Sequence, residues 1–538
     1  MPNRRFIPIV IAVSLVIGLL LGTLITTCFT RNPLSIINSS SNKLNDLLHI
    51  IDARYVDTVD IADIVEQTLP TLLSQLDPHS TYLPPQEAKE ANEGLQGSFS
   101  GVGIQFTIRH DTVTITAIIS GGPAEKNGLL AGDRITHING EPFTGDSITN
   151  TRVMNTLRGT KGTEVSVTVL RLDGRQRTAT LTRDDIPINT IDATFLLAPS
   201  LGYIHITSFG ETTYPELLTA LAQLQQQGFK GLVLDLRDNG GGYLGSAVQV
   251  ANEFLPDHSA IVYTQGRKSP RQDYYADGRG SYQHIPLIIL ANENTASAAE
   301  IVTGAMQDND RAVVIGRRTF GKGLVQEPIQ FNDKSQLNLT IARYYTPSGR
   351  CIQKPYEPGD EDTYLRDLSQ RYEHGEYFSA DSIHLDSLST YTTRGGRTVH
   401  GGGGIMPDTF VPQDTSLYTT WLTQAVSTGL VSEFTFTYTD QHRKALQPFK
   451  DADQLVSHLR RQRLVQQFID YADSQQLPRR NNQIRQSRPL LERMLYANIV
   501  YNMLGMEQYL SYLAQDDPVV QQAIAAFEDG ATRPVNNP

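Results

Sequence analysis

Ser297 and Lys322 stand 25 residues apart, each in a setting that suits catalysis. The serine lies in ANENTASAAEI, where a strand ending near Ala291 passes through a short loop into a helix starting near Ser297. Such a serine has two readings. As a helix cap it pairs with Glu300 three residues on, in a Ser-x-x-Glu capping box. As a nucleophile, its developing oxyanion would meet the free N–H groups and the positive dipole end of the helix. One serine does not choose between them.

Lys322 lies in GRRTFGKG, which imitates the opening of a phosphate-binding loop from Gly316 onward. The imitation fails at Gly323, where such a loop needs Ser or Thr for magnesium. The following GLVQEPIQF carries Pro328 and reads as turn and strand, not as a helix, so nucleotide binding is set aside. A solvated lysine in a glycine turn is the plain alternative. A nucleophilic serine, however, needs a base. His79, His205, His284 and His400 are available, and none sits in a turn that obviously faces Ser297. Lysine can take that role if its site is desolvated, because its ordinary pKa is about 10.4 and it must be neutral near pH 7. TFGKGLV sets Lys322 between two glycines and beside Phe320 and Leu324, a loop able to fold under cover. Gln326, four residues on, can orient the lysine from a helical or bulged turn. LRDNGGGYLG ends a strand in three glycines, whose exposed N–H groups suit an oxyanion, or which simply make a flexible turn.

The elements that must position these residues form a recognisable order. From about 184 to 412, strands and helices alternate, as in LGYIHITSF, GLVLDLRDNGGG and IPLIILANENTASAAEIVTGAMQ, which predicts an α/β layer architecture. The stretch YEPGDEDTYLRDLSQRYEHGEYFSADS within it is polar and reads as a surface insertion. Residues 94 to 183 are short β-rich runs broken by glycine, residues 31 to 93 are helical, and residues 413 to 538 repeat Leu, Tyr and Phe at helical spacing.

The series LDPHSTYL, GVGIQF, GPAEKNGLLAGDRITHING, GYIHITSFG, LVLDLRDNGGG, NENTASAAEIVTGAMQD and GRRTFGKGLVQ resembles the carboxyl-terminal processing peptidases, or tail-specific proteases, over residues 35 to 412. The resemblance implies Ser297 as nucleophile, Lys322 as general base and Gln326 as its orienter, with oxyanion donors from Ala298 and Gly241. Ala299 stands where many relatives have a second serine, at a position that is not catalytic. The β-rich segment resembles a PDZ domain, whose loop Gly101, Val102, Gly103 and Ile104 would receive the carboxylate of a peptide added as a strand. The expected fold class is multi-domain α/β: an α/β protease core (184–412) with an inserted PDZ domain (94–183), a helical segment (31–93) and a helical C-terminal domain (413–538).

The N-terminus adds an expectation of place. Arg4 and Arg5 precede an uncharged apolar run of 24 residues, Phe6 to Phe29, and roughly 20 suffice to span a bilayer. With only Arg31 after the run, the charge order leaves the N-terminus in the cytoplasm and the remaining chain in the cell envelope, with residues 1–30 as anchor or cleaved signal. Lipidation at Cys28 is disfavoured by Thr27. Two cysteines in 538 residues exclude a disulfide framework and a cysteine metal site. A net charge of −11 argues against nucleic acid. No cofactor and no metal are expected. The expected partners are protein or peptide C-termini and, through the N-terminal run, a membrane; an adaptor or a second copy of the chain is left open. A PDZ scaffold on an inactive protease fold and a histidine-based esterase are the rival readings.

Overall fold

A computed structural model describes residues 39–383 and 389–532 of the chain. The apolar run expected to span a membrane lies outside the described residues, and among those described no helix is long and apolar enough to cross one. The chain divides into two compact units, at Leu72/Leu73. The first contains helix α1 (Ser39–Arg54) and most of α2 (Ile61–Ser74), with Leu44, Leu47 and Ile50 exposed along α1.

The second unit opens with the short strand β1 (Thr81–Leu83) and helix α3 (Pro85–Gln96). A β-rich module follows. Its edge strand β2 (Ile104–Arg109) leads an antiparallel sheet that continues through Thr112–Ile118, Arg134–Ile138, Glu164–Leu170 and Gln176–Thr182. Alternation in EVSVTVL turns Val165, Val167 and Val169 into the module's core. Helix α4 (Asn150–Leu157) starts at Thr149, whose side chain accepts from Arg152 N–H at 3.2 Å. Ser98–Gly101 pairs antiparallel with Asp184–Pro187, so the chain enters and leaves the module side by side. An insertion so closed leaves the surrounding layers intact.

The protease-like core is a six-stranded sheet. Ile191–Ala198 and Leu201–Ile206 are antiparallel; then β3 (Gly231–Asp235), β4 (Leu287–Ala291), Val313–Gly316 and Thr409–Phe410 run parallel. GLVLD and LIILA are buried along their whole length, as parallel strands covered on both faces must be. One face packs on Thr213–Gln226, Leu244–Phe254 and helix α5 (Ala298–Asp308). A second sheet joins β1 to the hairpin β5 (Leu324–Gln330) and β6 (Gln336–Tyr345).

Two stretches depart from the sequence expectation. The polar segment read as a surface insertion contains helix α6 (Glu361–Glu373), which buries Tyr364 and Arg371 against the core. Its few buried side chains are polar, so no apolar stripe marked the inward face. The helical C-terminus is likewise not wholly a separate appendage. Helix α7 (Leu430–Leu446) belongs to a cluster around Trp421 and Phe468, but α8 (Pro518–Glu528) covers the other face of the central sheet. Val519, Val520 and Ala523 there meet Val233 and Ile288. Gly231 has no side chain because a Cβ would stand 2.3 Å from the Phe527 ring.

Candidate active site

β4 ends at Ala291, and a five-residue loop delivers Ser297 to the head of α5. Ser297 has φ 55° and ψ −117°, a sparsely populated conformation for a residue with a side chain. The loop enforces it: Thr295 Oγ donates to Leu236 O at 2.8 Å, and Ala296 N–H donates to Asn239 O at 2.9 Å. The next N–H, of Ala298, is the first of the helix and has no carbonyl one turn back to bind.

Glu300 does close the expected capping box with Ser297, accepting from Ser297 N–H at 2.9 Å. It also does something the spacing did not reveal. The same carboxylate, fully buried, accepts from Thr319 Oγ at 2.5 Å and from the N–H groups of Gly321 and Lys322 at 2.8 Å each. One side chain thus ties the serine's helix to the lysine's loop. Burial raises its pKa to about 7 against the opposing pull of its four donors. Tyr344 on β6 adds a second tie, its hydroxyl bridging Ser297 O at 3.0 Å and Lys322 O.

Ser297, Ala298, Lys322 and Gln326 all line one cleft of about 300 Å³, walled by Leu95 of α3 and Leu244. Burial lowers the Lys322 pKa, while the more distant charges of Glu300 and Asp77 pull it back up. Among the described residues no carboxylate lies within salt-bridge reach of its ammonium. The strand β5 is bulged between Val325 and Gln326. Gln326 Nε2 donates to Thr340 Oγ at 3.3 Å, and Thr340 Oγ donates to Asp77 Oδ1 at 3.0 Å. The amide is held by its nitrogen, leaving its oxygen as the acceptor for a lysine N–H.

No histidine lines this cleft among the described residues. His205 is bonded to Asp192 at 2.7 Å and His284 is exposed. His79 comes near enough for the Lys322 charge to be felt, but burial depresses its pKa to about 3 and its Nε2 is bonded to Tyr364 Oη at 2.7 Å. No cluster of side chains suited to a metal ion occurs among the described residues.

The glycine turn after β3 requires a correction. Gly241 does back onto the serine: a Cβ there would lie 2.7 Å from Ser297 Cβ and 3.0 Å from Ala298 N. Its N–H, however, is not presented to the cleft, because it donates to Asn239 Oδ1 at 2.9 Å. Asparagine bonding the backbone two residues on is the cause, a local turn that the Gly-Gly-Gly run concealed. Gly240 and Gly242 line the cleft instead.

Behind the lysine loop stands α6. Arg371 donates to Thr319 O at 2.9 Å and to Phe320 O at 3.2 Å. Lys354 lies 4.1 Å from the ring centroids of both Phe320 and Tyr364 and donates to Asp367 at 3.0 Å. The polar segment is therefore a brace for the loop that carries Lys322.

In the β-rich module, Val102 O accepts from Ala124 N–H and Gly103 O from Ile119 N–H, so this loop's carbonyls are turned inward. Gly103, at φ 77°, needs glycine. Beyond the loop, the outer edge of β2 is free, since among the described residues it pairs only with Thr112–Ile118. Arg158, at the end of α4, reaches Glu93 of the cleft-lining helix α3 at 3.3 Å.

Residues 200–361 match the sequence pattern of peptidase family S41, and residues 100–182 that of the PDZ domain. Residues 421–505 match a family of unknown function (DUF8443). The chain is similar to the carboxy-terminal-processing protease of Bartonella bacilliformis, 34% identical over 317 residues, covering 58% of this chain and 72% of that protein. It is 33% identical over 318 residues to the carboxy-terminal processing protease CtpA of Bacillus subtilis, covering 59% and 67%. Among solved structures, the photosystem II D1 C-terminal processing protease is 27% identical, with a TM-score of 0.34, over 70% of this chain and 94% of that one. The chain is a serine-type peptidase with a PDZ domain, and it belongs to the carboxy-terminal processing proteases of peptidase family S41.

Proposed function

We propose that the chain is an endopeptidase of the cell envelope that cuts unstructured proteins with a Ser297–Lys322 dyad. The observation that carries this reading is the shared cleft, in which Lys322 is desolvated and without a carboxylate partner beside Ser297. Neutral Lys322 Nζ takes the proton from Ser297 Oγ as the oxygen attacks the scissile carbonyl. The resulting ammonium then protonates the leaving amine, and water releases the acyl group by the same route in reverse. Gln326 holds the lysine through its amide oxygen. The oxyanion forms against Ala298 N–H at the positive end of α5.

The PDZ domain captures a substrate C-terminus, with the carboxylate at Gly101–Ile104 and the tail added along β2. The Arg158–Glu93 pair couples that domain to a wall of the cleft. Placement in the envelope rests on the Arg4–Arg5 and Phe6–Phe29 pattern; fractionation of the expressing cell tests it, and recovery of the whole chain in cytosol would refute it.

The decisive assay offers the full chain an unstructured polypeptide with an apolar C-terminus. Ser297→Ala and Lys322→Ala should each lower kcat by about 10³-fold or more, while His205→Ala and His284→Ala retain cleavage. Undiminished cleavage by Lys322→Ala removes the dyad.

A further inference from the structure

Between the outer face of the PDZ sheet and α7 lies a cavity of about 740 Å³ that the reaction does not use. It begins where β2 ends. Arg109, the last residue of that strand, lies 4.7 Å from the Phe436 ring centroid and donates to Ser432 O at 3.4 Å. Arg134, Arg443 and Lys444 also line the space. Its two aspartates each have an arginine: Asp440 pairs with Arg134 through Oδ2, its shielded Oδ1 accepting nothing, and Asp173 pairs with Arg175 at 2.5 Å. Arg109 and Arg443 have no salt-bridge partner among the described residues, although Asp440 and Glu433 moderate their charges from farther away. Arg109 Nε and both Nε and Nη2 of Arg443 are shielded from solvent yet donate to nothing. Those shielded atoms do not open on the cavity, but guanidinium groups half withdrawn from water and without an ion-pair partner are costly unless an anion approaches their remaining N–H groups.

The direction of a captured tail says which anion. A carboxylate seated at Gly101–Ile104 lies at the start of β2, so the tail must run antiparallel to it, towards Arg109. β2 has six residues, and paired strands advance in step at about 3.4 Å per residue. Arg109 therefore stands beside the tail residue about five or six places before the terminus. We propose that the cavity receives acidic side chains at that point, so that the protease selects apolar C-termini preceded by Asp or Glu. This rests on the tail-capture reading above, and deepens it. A carboxylate would be held by charge-assisted, bidentate hydrogen bonds, and a lysine there would be repelled.

The test uses the full chain carrying Ser297→Ala and fluorescent ten-residue peptides that share an apolar end. The fifth and sixth residues before the terminus are both Glu, both Gln or both Lys. The Glu peptide should bind about 5- to 20-fold more tightly than the Gln peptide, as one or two charge-assisted bonds allow, with the Lys peptide weakest. Arg109→Gln with Arg443→Gln should abolish the difference between the Glu and Gln peptides. Arg443→Glu, which leaves the Arg109 contacts in place, should remove most of the preference for the Glu peptide over the Gln peptide. Equal affinity for Glu and Gln peptides, or a Glu preference that survives the double substitution, overturns the proposal. Amidating the peptide's terminus tests tail capture separately: undiminished binding removes that reading whatever the Glu result.

Discussion

Glu300 and Lys322 are joined through the backbone, the lysine's own N–H donating to the Glu300 carboxylate at 2.8 Å. The same carboxylate holds Ser297 N–H at 2.9 Å. The spacing of serine and lysine is thus set by one buried side chain that belongs to neither the nucleophile nor the base. An amide cannot replace it, since an NH₂ would face two of the four donors. Glu300→Gln should lower kcat by about 10²-fold with little change in KM and reduce stability by about 3 kcal/mol. Steady-state kinetics and thermal unfolding measure both; an unchanged kcat removes the positioning role.

Lys322 gives the enzyme a pH dependence with a definite sign. Its pKa is lowered by burial in the folded state, so kcat/KM should rise with pH and level off below 10.5. Stability follows the same direction. Between the folded pKa and 10.5 the unfolded chain binds the extra proton, so stability rises with pH across that window. Below it the charge is buried at a penalty. Lys322→Met should abolish cleavage yet raise the Tm at pH 7 by about 1–3 °C. A lowered Tm would mean that the lysine stabilises the fold.

Arg371 acts on the lysine loop from behind, through Thr319 O and Phe320 O. Arg371→Met should lower kcat by about 10-fold, leave KM near its original value, and speed amide exchange at Gly321 and Lys322. Exchange confined to α6 itself would limit the arginine to a local packing role.

Gly241 is the least replaceable glycine of the site. Its φ of 103° and the contacts a Cβ would make, 2.7 Å to Ser297 Cβ and 2.9 Å to Ala296 O, leave no relaxed alternative. Gly241→Ala should lose about 10³-fold in kcat with a native circular dichroism spectrum. Gly245→Ala, where no atom lies within 4 Å of the new Cβ, should cleave like the parent.

What could be read from the sequence was whatever leaves a local trace. Ser297, Lys322 and Gln326 sit among glycines, a helix start and a strand, and the structure brings all three to one cleft. The buried runs GLVLD and LIILA announced a covered sheet through their lack of polar residues. Partners chosen across long separations left no such trace. Glu300 looked like a cap because its partner three residues away is local, whereas Thr319 and Gly321 are not. Helix α5 is buried on every side despite Glu300, Gln307 and Asp308. Asp308 is accommodated by Arg350, 42 residues on, at 2.6 Å, which no periodicity could disclose. Arg371 and Tyr364 hid in a polar helix for the same reason.

Helix α8 has a bearing on when activity can begin. A ribosome delivers β3 and β4 long before Val519, Val520 and Ala523, the residues that cover one face of those strands. Until they arrive, Val233 and Ile288 face water, and Arg237 lacks Asp517, its partner at 2.7 Å in the finished chain. An emerging chain is therefore a peptidase without a complete core.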